Sequence, residues 1–105
     1  MVILDKQNFE AEVLQADGLI MVDFWSPKCE PCMALVPQVE ALAKKYAGKA
    51  KFCKLDTAGN KRLAISQKVL GLPTIVFYKG GEKIAELSKD FSIEDVEGKL
   101  NELLA

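Results

Sequence analysis

Residues 19–25, LIMVDFW, are apolar at every position but one. A continuous apolar run of this length, in place of an alternating one, marks a β-strand buried on both faces. Such a strand needs a layer of structure above it and another below. The remaining chain must therefore supply helices for two sides of a sheet.

It contains segments suited to that. Asp5 precedes KQNFEAEVLQADG, where Phe9, Val13 and Ala16 recur at helical spacing. Asp5 is predicted to cap this helix and Gly18 to stop it. After the 19–25 strand, SPKCEPC leads into MALVPQVEALAKKYAGK. Met33, Val36, Val39 or Glu40, Ala43 and Tyr46 step at three and four, which predicts a helix ended near Gly48. Pro37 lies inside it and is expected to kink it. AKFCKLD (50–56) reads as a second buried strand, NKRLAISQKVL (60–70) as a short helix and LPTIVFY as a third strand. KGGEK is a tight turn into IAELS, so these last two strands should form a hairpin. SIEDVEGKLNELLA closes the chain as an amphipathic helix with Ile93, Val96, Leu100, Leu103 and Leu104 on one face. Gly98 weakens that helix by roughly 1 kcal/mol relative to Ala. A short strand at VIL is expected to extend one edge.

Strands separated by helices are expected to pair in parallel through right-handed crossovers, and the hairpin to add antiparallel strands. The fold class is then α/β: a sandwich with a central mixed sheet flanked by helices on both faces. At 105 residues the chain suits one domain, residues 1–105, with a core that needs no disulfide staples or metal.

Composition narrows the function classes. Fourteen basic and fifteen acidic residues leave a net charge of −1. With no basic cluster, nucleic acid and anionic membranes are poor candidates as partners. No unbroken apolar run approaches the length of a membrane span. MVILDKQNFE carries no export signal, so a cytoplasmic address is the default expectation. Three cysteines are an odd count, which argues against a disulfide framework.

Cys29 and Cys32 fall where a strand ends and a helix begins. A helix N-terminus offers unpaired N–H groups and partial positive charge, both of which stabilise a thiolate. Two intervening residues let the second sulfur reach the first, and Pro31 limits the backbone between them. The chemistry this suits is exchange: one thiolate attacks a substrate disulfide, and the second cysteine resolves the mixed disulfide. Three other readings compete. A zinc site needs about four ligands, and the chain has no His and one further Cys. Two inert buried thiols, or a structural disulfide closing a very short loop, are the others.

The segment VDFWSPKCEPC, followed in order by MALVP, KLD and GLPT, resembles the thioredoxin family across nearly the whole chain. The resemblance implies a thioredoxin-like fold and roles by position. Cys29 would be the nucleophile and Cys32 the buried resolving cysteine. Asp23 would lie beneath Cys32 as its proton acceptor and donor, with a pKa raised by burial. Lys54 would approach Asp23 and moderate its charge. Pro73 would be a cis proline facing the cysteines, leaving the Leu72 backbone free to pair with an extended substrate. Trp25, Gly71, Leu72 and Pro31 would belong to the docking surface. The implied activity is protein-disulfide reduction by a monomer that carries electrons from a thioredoxin reductase to target disulfides. The redox group is the cysteine pair itself, without a bound cofactor or metal.

Three positions depart from the family: Glu30 stands where Gly is usual, Lys28 where Trp is usual, and Lys89 near a customary docking-surface Gly. A unit charge 4–6 Å away in water is worth roughly 1 kcal/mol or less. Lys28 lowers the Cys29 thiolate pKa and Glu30 raises it, so the two are expected to offset each other and to act on partner recognition. Cys53, on the second buried strand, reads as an inert core thiol. Two other functions stay open at this point: the same fold poised as an oxidant or isomerase, and a non-enzymatic binding module using the Leu72–Pro73 groove.

Overall fold

The computed structural model describes residues 1–105. In chain order its strands are β1 (Val2–Leu4), β2 (Leu19–Trp25), β3 (Lys51–Asp56), β4 (Thr74–Lys79) and β5 (Glu82–Ser88). Its α-helices are α1 (Glu30–Lys45), α2 (Lys61–Ser66) and α3 (Ile93–Leu104). One five-stranded sheet runs in the order β1–β3–β2–β4–β5. β2 therefore sits in the middle, as its apolar run requires. It is buried from Leu19 to Phe24, and Trp25 is half-buried.

The side chains of β2 alternate between two cores. Ile20, Val22 and Phe24 join Leu4, Phe9, Val13, Ala64 and Tyr78 on the α2 side. Leu19 and Met21 join Leu35, Val39 and Leu42 of α1 and Val96 and Leu100 of α3 on the other. Each fully buried aliphatic or aromatic side chain contributes roughly 1.5–3 kcal/mol. The helices on both faces are what make a continuous apolar strand stable here.

β1 and β2 both pair with β3 in parallel. β4 does not follow the parallel expectation for strands separated by a helix: it runs antiparallel to β2. The reason is length. A parallel crossover must carry the chain back along the whole sheet, and α2 has only six residues. Asp56 ends β3 opposite Trp25, and Thr74 begins β4 opposite Phe24, so the connection never leaves that end of the sheet. The hairpin to β5 is as expected, with Gly80 and Gly81 at φ of +62° and +81° in a two-residue turn.

Other boundaries moved for local reasons. The N-terminal helix is a single π-helical segment, Glu10–Leu14, in which the Gln15 N–H donates to the Glu10 carbonyl at 2.8 Å. Asp5 Oδ1 accepts from the N–H groups of Gln7 and Asn8 just before it, at 2.8 and 3.0 Å. The helix over 60–70 ends at Ser66 because Lys68 turns left-handed, at φ +62°, and the Val69 N–H closes back onto the Ala64 carbonyl. Pro37 lies inside α1 without ending it. In α3, Ser92 and Asp95 form a reciprocal capping box. Val96 and Leu100 are buried, and Ile93 and Leu103 pack partly against them. Leu104 is exposed rather than part of that face.

Candidate active site

The short β3–β4 connection gathers the ends of β2 and β3 and the start of β4 at one edge of the molecule. A tight turn over Ser26–Cys29 then feeds α1 from the same place. Its geometry is held by Ser26, which is buried: its carbonyl accepts the Cys29 N–H at 3.0 Å and its Oγ accepts the Lys28 N–H at 3.2 Å. Cys29 is the extended N-cap of α1, at φ −102° and ψ 105°. Its carbonyl accepts the Met33 N–H at 3.0 Å, and its Sγ accepts the Cys32 N–H at 3.2 Å. The sulfur thus occupies the spot where the first-turn N–H groups and the positive end of the helix macrodipole converge. Cys29 is half-buried and Cys32 has no exposed surface. The two are joined as a disulfide, with Cα atoms 5.2 Å apart.

Asp23 points to the α1 side of β2, the face that carries Met21. It has no exposed surface, and neither carboxylate oxygen has a hydrogen-bond partner. Burial pushes its pKa up to about 7, against the opposing pull of the Lys54 ammonium. Ionising it therefore costs on the order of 4 kcal/mol relative to a solvated carboxyl. Lys54 is the register partner of Asp23 on β3. Its Nζ is 3.9 Å from Glu40 Oε2 on α1 and 5.6 Å from the centre of the Trp25 ring. The Lys54 head group is thus shared between an acid on α1 and the aromatic face, and it acts on Asp23 through space.

Just before β4, the Leu72–Pro73 peptide is cis and Pro73 is buried. Neither the N–H nor the carbonyl of Leu72 is hydrogen-bonded. Thr74 fixes this loop, its Oγ1 donating to the Gly71 carbonyl at 2.7 Å. Lys89 takes φ +66° and donates its N–H to the Pro73 carbonyl at 2.7 Å. The end of its side chain lies where a Cβ on Gly71 would be and would have to swing aside for any other residue there.

The residues named from the sequence divide into two groups. Lys28, Gly71 and Leu72 line a groove of about 550 Å³ running from the Cys29 turn along α2. Trp25, Glu30 and Pro31 lie outside it: Glu30 and Pro31 open α1, and Trp25 sits on the Asp23 face of β2. Sequence reasoning missed Ser26, Thr74 and Glu40. A Ser directly after a strand and before Pro is a turn signal that points to the first. Glu40 carries no such local signal, because its partner lies on another element. Cys53 is buried, and desolvation pushes its thiol up to about 11. No group of three or more His, Cys, Asp or Glu side chains is arranged to hold a metal ion, and no helix is long and apolar enough to cross a membrane.

Known proteins of similar sequence are readily found. The thioredoxin family model matches residues 1–102. A thioredoxin of Peptoclostridium acidaminophilum is 57% identical over 90 residues, covering 86% of this chain and 82% of its own. A thioredoxin of Acetoanaerobium sticklandii is 56% identical over 87 residues, 83% of each chain. More distantly, thioredoxin 1 of a Nostoc species is 40% identical over 77 residues, covering 73% of this chain and 72% of its own. With a match of that extent and a dithiol pair closed at the start of α1, the chain belongs to the thioredoxin family of protein-disulfide reductases.

Proposed function

We propose that the chain works as a single-domain, monomeric cytoplasmic reductant, and that it is recharged by a thioredoxin reductase and spends its electrons on disulfides of other proteins. The cysteine pair is its whole redox group, with no cofactor or metal. In the first step the Cys29 thiolate attacks one sulfur of a substrate disulfide. A Cys29–substrate disulfide forms, and the other substrate sulfur leaves as a thiolate that takes a proton from solvent. In the second step Cys32 loses its proton to Asp23 through water and attacks Cys29 Sγ. The intramolecular disulfide forms and the second substrate thiolate leaves. Two electrons pass from the dithiol to the substrate, and the reductase later returns two.

The observation that supports these roles best is the asymmetry of the pair. Cys29 is half-buried with its Sγ at an α1 N–H group, whereas Cys32 is fully enclosed. The first can be attacked or attack; the second needs a local base. Asp23, buried and unpaired with a pKa of about 7, is suited to taking and returning a proton near neutrality. Lys54 moderates its charge. Pro73 and the unpaired Leu72 backbone receive an extended substrate strand, while Trp25, Lys28, Glu30, Pro31 and Gly71 border the cysteines.

Reduction of the interchain disulfides of insulin, with dithiothreitol as electron source, tests this reading. Catalysed precipitation of the B chain that vanishes in Cys29→Ser is expected. A Cys29→Ser protein as active as the parent would overturn it.

A further inference from the structure

The groove beside Cys29 has an unusual charge balance. Its lining includes two lysines, Lys28 and Lys61, and no Asp or Glu. Lys89 adds a third cation from the far side of Gly71, where its Cε and Nζ crowd the place of a Cβ. All three lysines are exposed. The five ion pairs of the molecule use Lys45, Lys51, Lys54, Lys83 and Lys99, so none of the three is neutralised internally. Two carboxylates lie outside the lining itself: Glu30 at the start of α1, and Asp56, whose Oδ1 accepts the Ala58 N–H at 2.9 Å.

Between the cations the floor is apolar. Leu70 is 85% exposed and Ile65 61%, which leaves aliphatic surface in the groove that a partner could cover. The Leu72 backbone, unpaired at the same site, is free to pair with an extended chain. Three unpaired cations, aliphatic side chains and a free Leu72 backbone together describe one kind of occupant.

We propose that this groove selects, among disulfide substrates, extended segments that carry acidic side chains within two residues of the reactive half-cystine and an aliphatic side chain to cover Ile65 and Leu70. The inference rests on the disulfide-reductase reading above and adds the substrate class. Lys28 lines the groove together with Gly71, and Lys89 packs on Gly71, so the two would contact acids near the half-cystine, while Lys61 would meet one further along the segment. The selection acts on encounter and on the docked complex, since exposed charges a few ångströms apart in water change a rate by roughly five- to tenfold.

The test uses the full-length reduced protein and two extended peptides, each with one cysteine activated as its 2-pyridyl disulfide and one neighbouring Leu. One peptide has Glu on both sides of the cysteine and the other has Lys. Release of 2-pyridinethione gives the second-order rate constant for each. At low ionic strength the Glu peptide is expected to react roughly five- to tenfold faster. That ratio should shrink towards one at about 1 M salt, where the Debye length falls to about 3 Å. In the triple variant Lys28→Glu, Lys61→Glu, Lys89→Glu the ratio should invert. Because each ratio is taken within one protein, a general change in Cys29 reactivity or in the folded fraction cancels. Equal rates for the two peptides at low salt, faster reaction of the Lys peptide, or the same ratio in the triple variant would overturn the charge selection alone. Failure to reduce either peptide would overturn the reductase reading and the selection with it.

Discussion

Asp23 and Lys54 occupy matched positions on β2 and β3, yet no hydrogen bond or ion pair joins them. The carboxylate is enclosed without a partner, and the ammonium leans to Glu40 and the Trp25 ring. Desolvation therefore outweighs attraction, and the acid titrates near neutrality instead of near 4. This balance predicts opposite effects for two variants. Lys54→Gln removes the opposing charge and should raise the Asp23 pKa above about 7. Glu40→Gln releases Lys54 towards Asp23 and should lower it. A carboxyl-carbon NMR titration of each protein checks both directions, and shifts of the same sign in the two would contradict the arrangement.

The same burial ties stability to pH. The folded-state pKa of Asp23, about 7, lies above the unfolded value near 4, so between these limits the native state holds a proton that the unfolded state has lost. Stability from this group is complete below about pH 4, falls as pH rises towards 7, and levels off above, with a total loss of ~4 kcal/mol. Asp23→Asn removes the ionisation. It should match the parent at pH 4 and exceed it by a few kcal/mol at pH 8.5, read from urea midpoints of the oxidised proteins. A difference that does not change with pH would count against a buried carboxylate.

Thiol reactivity should separate the three cysteines. In the native reduced protein, brief treatment with iodoacetamide at pH 7 should modify Cys29 first, Cys32 slowly, and Cys53 only after denaturation. The Cys53 thiol is buried and its pKa is about 11, so its thiolate fraction at pH 7 is about 10⁻⁴. Peptide mapping by mass spectrometry gives the order. Early labelling of Cys53 would contradict its place in the core.

A plain backbone prediction concerns Lys68. It holds φ +62° to close α2, a conformation that costs a non-glycine residue roughly 1–2 kcal/mol. Part of that gain is returned as chain entropy when glycine is introduced. Lys68→Gly should stabilise the protein by ~0.5–1 kcal/mol in urea unfolding; destabilisation would mean that the Lys68 side chain holds α2 in some other way.

Much of this was legible in the sequence because the signals are local. The LIMVDFW run required a central strand, Gly80–Gly81 between two apolar stretches required a hairpin, and a cysteine pair at a strand-to-helix junction required an N-terminal thiol site. The direction of β4 was not legible. It depends on α2 being too short to cross the sheet, and α2 is short because Lys68 adopts a conformation that its residue type does not announce. Glu40 escaped for a related reason: it acts on a residue far away in sequence, Lys54. The N-terminal segment kept its buried Phe9 and Val13 but formed only a single π-helical segment, with Phe9 at its N-cap.

The most direct test of the central claim, that Cys29 and Cys32 form a reducing redox pair, is equilibration in redox buffers of known potential. Alkylation then traps the thiols and intact mass counts them. A single two-electron transition is expected, with Cys53 free throughout. Its midpoint should lie near the roughly −270 mV established for thioredoxin, a family reference value and not one obtained from this geometry. A midpoint between about −180 and −120 mV would mark an oxidant or isomerase, and the absence of any transition would contradict the account altogether.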